Sequence, residues 1–106
     1  MKLGIVISTE DIEAIWNAFR LANFSKKEGD EVKVFLVGKA VEYEEKNTER
    51  FPAKNEAEKF VSGGGSILAC GTCLKLRNRQ GDNLCPISSL KDLYALIKES
   101  DKIVSF

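Results

Sequence analysis

Two cysteines separated by two residues, Cys70-Gly71-Thr72-Cys73, are the residues of this chain best suited to chemistry. A thiolate is both the nucleophile and the metal-binding form of cysteine, so the surroundings of the sulfur decide whether it reacts. Ser66–Ala69 reads as a short apolar strand leading into the pair, and Leu74–Arg79 as a short helix leaving it. A cysteine at such a junction has the orphan N–H groups of Gly71, Thr72 and Cys73 within reach, and the helix dipole favours an anion there. Lys75, Arg77 and Arg79 add positive charge. Gly71 lets a reaction partner approach closely. Cys73 lies one helical turn from Cys70 on nearly the same face, which leaves a disulfide or a resolving role open. Being a turn inside, Cys73 is expected to be the more covered sulfur, and Cys70 the one with the lower pKa and faster alkylation.

The chain has no histidine, which excludes Ser/His/Asp and Cys/His machinery and any imidazole zinc site. Zinc needs about four ligands. With three cysteines in all, a structural zinc would require a carboxylate or a second chain, so no metal and no cofactor is expected. The third cysteine, Cys85, reads as a small buried hydrophobe, although a neighbouring strand could bring it beside the pair. A thioredoxin-like reading also uses Cys-x-x-Cys at a helix start, and Pro86 could face such a disulfide. The motif here follows the third strand of a parallel alternation, which is not that fold's order.

One domain accounts for all 106 residues. Hydrophobic residues make up 43% and charged residues 30%, a globular balance, and the 16 basic residues match the 16 acidic ones. Zero net charge gives no electrostatic case for nucleic acid or an anionic membrane, and little to keep copies of the chain apart. No apolar run approaches a bilayer span, and the apolar stretch at Leu3–Ile7 is too short for a signal peptide. An odd number of cysteines argues against a disulfide framework, so the expected location is the cytoplasm.

The elements that must position Cys70 alternate along the chain. Leu3–Ser8 reads as a buried strand. Thr9 is the expected N-cap of a helix through Ile12, Ile15, Trp16 and Phe19 that runs to about Lys27 and stops at Gly29. Glu31–Val37 is the second strand, closed by Gly38. Ala40–Glu45 is read as more strand or loop, and Glu42–Arg50 as a solvated charged connection. Asn55–Val61 is a helix, and Ser62-Gly63-Gly64-Gly65-Ser66 its stop. That run lacks the Gly-Lys-Ser/Thr ending of a phosphate loop and precedes a strand instead of following one. After the cysteine segment come a turn at Gly81-Asp82-Asn83 and a short strand at Leu84–Ser88. A helix capped by Ser89 then runs to about Ser100, and Lys102–Phe106 is a last strand. The expected architecture is a single small doubly wound α/β domain. Its mostly parallel sheet has about five strands flanked by helices, with Cys70 at a strand's carboxyl end.

The segment Ile67-Leu68-Ala69-Cys70-Gly71-Thr72-Cys73-Leu74-Lys75-Leu76-Arg77-Asn78, together with the order of elements over the whole chain, resembles the DsrE/DsrF-like family. This family includes sulfur-relay TusD-like and YchN-like proteins. The resemblance implies a parallel-sheet α/β fold assembled into trimers, hexamers or hetero-oligomers. It also implies a cysteine on the loop after the third strand that accepts sulfur as a persulfide and passes it on. By its place before the basic Arg77, that cysteine corresponds to Cys70, with Gly71, Thr72 and Arg77 as the residues that would hold the substrate. The sequence departs from the relay subunits in carrying Cys73 and in having Asn78 where a glycine often follows the arginine. The implied partners are sulfur donor and acceptor proteins or small sulfane-sulfur donors. The alternatives are a dithiol redox protein using Cys70 and Cys73, and a non-catalytic assembly subunit.

Overall fold

A computed structural model describes residues 1–76 and 87–106. Five strands, β1 (Lys2–Ile7), β2 (Glu31–Leu36), β3 (Ser66–Cys70), β4 (Ile87–Ser88) and β5 (Lys102–Ser105), form one sheet in the order β4-β3-β2-β1-β5. All four pairings are parallel, from Leu3 opposite Val32 to Cys70 opposite Ser88. β4 is reduced to two residues, so four strands carry the bulk of the sheet. The helices are α1 (Ile12–Lys27), α2 (Tyr43–Lys46), α3 (Ala53–Ser62), α4 (Gly71–Leu76) and α5 (Leu90–Glu99), and Gly38–Glu42 form a 3-10 turn.

Alternation of side chains divides the strands between two faces. Leu3, Ile5, Ile7, Val32, Val34, Leu36, Ile67 and Ala69 turn to one face, where they join Ile15, Phe19 and Ala22 of α1 and Ala57 and Phe60 of α3 in the main core. Phe35 and Cys70 turn the other way and meet Leu96 of α5, with Val6, Leu68 and Leu93 around them. Helices therefore cover both faces, as a doubly wound α/β fold requires.

Several boundaries correct the sequence reading. Asp11, not Thr9, caps α1: its carboxylate accepts the Glu13 N–H at 3.2 Å, while the Thr9 hydroxyl oxygen accepts the Asp11 N–H at 3.1 Å. Thr9 thus supports the cap from outside the helix. Residues 40–45 are neither strand nor loop but a 3-10 turn running into α2. The reason is packing: Ala40, Val41 and Tyr43 are buried, with Tyr43 tilted against Phe19 at 5.6 Å between ring centres. Tyr43 thus closes the charged connection over the core, with Ala40 and Val41 just ahead of it. α3 starts at Ala53, two residues before the expected Asn55, and α4 starts at Gly71 directly after β3. Ser89 does cap α5, in a capping box with Asp92. The expected turn at residues 81–83 lies outside the described residues, as do most of the strand expected at 84–88 and the end of the helix expected at 74–79.

Candidate thiol site

Cys70 is the last residue of β3, and α4 begins with the next residue. Cys70 therefore lies at the carboxyl edge of the sheet, where parallel α/β folds place their sites. The position is not the point where strand order reverses, which lies between β1 and β5. That edge is taken up by the chain itself: Ser8 N–H donates to the Phe106 carbonyl at 2.8 Å, and Phe106 N–H to Val6.

Cys70 is buried and Cys73 half-buried, which reverses the expected order of covering. The strand decides it. As the last position of β3, Cys70 turns in beside Phe35 under α5, whereas Cys73 sits on α4 at the border of the two cores. Gly71 and Thr72 fill the first two positions of α4, with Thr72 exposed. Arg77, Arg79 and Cys85 lie outside the described residues.

Burial pushes the Cys70 thiol up. Hydrogen bonds from the Cys73 side chain and from the backbone N–H groups of Cys73 and Thr72 together outweigh it, so Cys70 titrates below an ordinary thiol. Cys73 is itself held: the Gly38 N–H donates to its sulfur at 3.2 Å. A chain of donors thus runs from the Gly38 amide to the Cys73 thiol and on to the Cys70 sulfur, each polarising the next. Gly38 lies at the exit of β2 with φ +58°, in the left-handed region where glycine is at ease. That backbone turn sends the chain into the 3-10 segment beside α4.

Sequence reasoning missed two contributors to this neighbourhood. Gly38 was legible as a strand stop but not as a sulfur ligand 35 residues from Cys73. Ser88 stands opposite Cys70 across β3 and β4, is buried, and donates its hydroxyl to Asp92 at 2.5 Å. This contact, with the Ser89 amide, holds the Asp92 carboxyl below its ordinary range and anchors the start of α5 beside the thiol. The capping box was the only sequence signal for it. Among the described residues no group of three or more His, Cys, Asp or Glu side chains could hold a metal ion. No helix among them is long and apolar enough to cross a membrane.

Such a site, a buried low-pKa cysteine at the end of β3 with a second thiol bonded to it, sits in a chain that the sequence profile of the DsrE/DsrF-like family matches over residues 1–106. The chain belongs to the DsrE/DsrF-like family. Two archaeal relatives support the assignment. Uncharacterized protein MJ0989 of Methanocaldococcus jannaschii is 32% identical over an alignment of 114 residues covering all of both chains. Uncharacterized protein MK0008 of Methanopyrus kandleri is 31% identical over 100 residues, covering 89% of this chain and 83% of its own. Family membership is consistent with a role in sulfur relay, and it covers every element that frames Cys70.

Proposed function

We propose that this protein is a sulfur carrier or sulfurtransferase that holds sulfane sulfur as a persulfide on Cys70. The observation that carries the reading is a thiol at the end of β3 that accepts hydrogen bonds from the Cys73 side chain and from the Cys73 and Thr72 N–H groups, donors that favour the thiolate a sulfur acceptor needs. In the loading step the Cys70 thiolate attacks the terminal sulfur of a donor persulfide. The new S–S bond forms as the donor's breaks, the charge that Cys70 brought leaves on the donor thiolate, and the terminal sulfur arrives on Cys70 with its proton, which it then gives up to water. Delivery is the same displacement by an acceptor thiolate. Gly71, Thr72 and Arg77 are the proposed contacts for the incoming group, the partners are donor and acceptor proteins or small sulfane-sulfur compounds, and the proposed location is the cytoplasm. No cofactor takes part.

The Cys73–Cys70 hydrogen bond favours a second outcome at the same site. Cys73 can attack the Cys70 sulfur of the persulfide, forming the Cys70–Cys73 disulfide and releasing hydrosulfide, which carries away the Cys73 proton. Cys73 would then limit the lifetime of the carrier. We also propose that the chain self-associates, as the family resemblance implies, into a trimer or hexamer. Leu90, Tyr94 and Ile97 recur at helical spacing on α5 and all three are exposed, an apolar stripe with the spacing of a helix–helix contact.

Intact mass after exposure to inorganic polysulfide tests the main reading. Wild type should gain the mass of one sulfur atom, Cys73→Ser should gain it and keep it longer, and Cys70→Ser should gain none. Equal loading of both single variants would show that the wrong sulfur has been assigned. A wild type that never loads but cycles a Cys70–Cys73 disulfide with a thiol reductant would make it a redox protein instead.

A further inference from the structure

A second surface, far from the thiols, has the shape and charge of a docking site. The outer sides of α1 and α3 enclose an open cleft of about 860 Å³. Leu21 and Phe24 are its apolar lining, and Phe24 is 62% exposed, unusual for so large an apolar side chain with no role in the core. Arg20, Lys26, Lys27 and Lys59 rim it, against the single carboxylate of Glu56. That carboxylate is already engaged: Asn23 Nδ2 donates to it at 2.8 Å and Lys59 pairs with it at 3.3 Å. Among the described residues no carboxylate forms an ion pair with Arg20, Lys26 or Lys27. A local excess of cations in a chain of zero net charge calls for an anionic occupant.

We infer that this cleft binds an acidic amphipathic helix of a partner protein. The partner's apolar side would lie on Leu21 and Phe24, and its carboxylates would face Lys26, Lys27 and Lys59. Apolar side chains flanked by cations along two neighbouring helices are what helix-in-groove recognition of an acidic amphipathic helix needs. A polyanion with no apolar side would leave Leu21 and Phe24 uncovered. Among its described residues a second copy of this chain has no matching element: α5 exposes its apolar stripe between Lys91, Asp92, Lys98 and Glu99, which cancel, while the acidic segment around α2 has turned Val41 and Tyr43 into the core. The cleft also leaves the thiol site open. Phe24, Lys26 and Lys27 end α1 next to the start of β2, at the amino edge of the sheet, whereas Cys70 ends β3 at the carboxyl edge. A partner could stay docked while sulfur chemistry proceeds at the other edge. The inference does not rest on the sulfur-carrier reading.

Trp16, the only tryptophan, reports on the cleft, because the Arg20 guanidinium lies 4.4 Å over its ring. The test titrates the full-length protein with a synthetic 14-residue peptide of leucines at helical spacing among glutamates, followed by Trp16 emission. Saturable binding is expected, weakening as salt is raised. It should weaken by about tenfold or more in Lys27→Glu/Lys59→Glu and several-fold in Phe24→Ser, all exposed positions outside the buried core. The same peptide with lysines in place of glutamates should not bind. Failure to saturate at millimolar peptide, unchanged affinity in the charge-reversed variant, or tighter binding of oligo(dT) or of vesicles rich in anionic lipid would overturn the proposal.

Discussion

The two faces of the sheet are built to different standards. Under α1 and α3, strand residues such as Ile5, Val34, Leu36 and Ile67 are closed off together with Ile15, Phe19 and Phe60, with almost no surface left exposed. Among the described residues the cover on the other face is the single helix α5, and its buried cluster is Phe35, Cys70 and Leu96. Even that approach depends on Gly4, where a Cβ would lie 2.6 Å from Leu96 Cδ2 and 2.7 Å from Ile103 Cδ1. The comparison teaches a division of labour. One face supplies most of the apolar burial that keeps a small domain folded. The thinner face holds the Cys70 thiol, and its outer side carries an exposed apolar stripe.

The sharpest way to break that comparison is to truncate one side chain on each face. Phe60→Ala on α3 should cost about 4 kcal/mol, because Phe60 is fully buried in the main core and leaves a cavity its neighbours cannot fill. Leu96→Ala on α5 should cost nearer 2 kcal/mol, since the half-buried Leu93 and Val6 around it can relax. Urea unfolding at neutral pH measures both. Equal losses would mean that the α5 face contributes as much to stability as the main core.

A smaller effect is expected from Tyr94→Lys. Tyr94 is 64% exposed, so the substitution should change monomer stability by roughly 0.5 kcal/mol or less. Placed in the middle of the proposed contact, the same charge should dissociate the oligomer. Light scattering at micromolar concentration checks it. An unchanged oligomer would move the contact off α5, and a monomeric wild type would remove the proposal of self-association.

Much of this architecture was legible because its strands are short, rich in Val and Ile, and separated by helices with clear apolar spacing. Leu3–Ile7 and Glu31–Val37 could hardly be read otherwise. What escaped the sequence had specific causes. Around α2 the glutamates outnumber the residues that matter, and Tyr43 disappears among them although it is buried against Phe19. Thr9 and Asp11 are both good caps two residues apart, and only their mutual hydrogen bond decides which one closes the helix. Cys70 and its helix-start neighbours were visible as a motif. The burial order of the two thiols was not, because it depends on which way β3 alternates against Phe35. The Gly38 amide could not be assigned to Cys73 from spacing alone, since a contact across 35 residues leaves no local trace.

The finest test of the thin face asks what holds the Cys70 thiolate. Burial acts first and raises its pKa; the Cys73 side chain and the N–H groups of Cys73 and Thr72 act against it. Cys73→Ala deletes the side-chain donor and keeps both backbone donors, so burial meets less opposition and the Cys70 pKa should rise without losing all of its lowering. Alkylation by iodoacetamide across the pH range, read at Cys70 by peptide mass, gives the midpoint in each protein. In wild type the two thiols are hydrogen-bonded to one another, so its midpoint belongs to the pair. The linkage to stability has a definite sign. A thiol whose folded pKa is depressed contributes stability that is fully present above its unfolded pKa and fades as pH falls through the folded one. Wild type should therefore exceed Cys73→Ala in urea stability by more at about pH 10 than at about pH 6, because above the unfolded thiol pKa of roughly 8.5 the full contribution applies. A midpoint that stays put or falls in Cys73→Ala would assign the lowering to the backbone amides alone. Cys73 would then be a neighbour of the thiolate rather than its support.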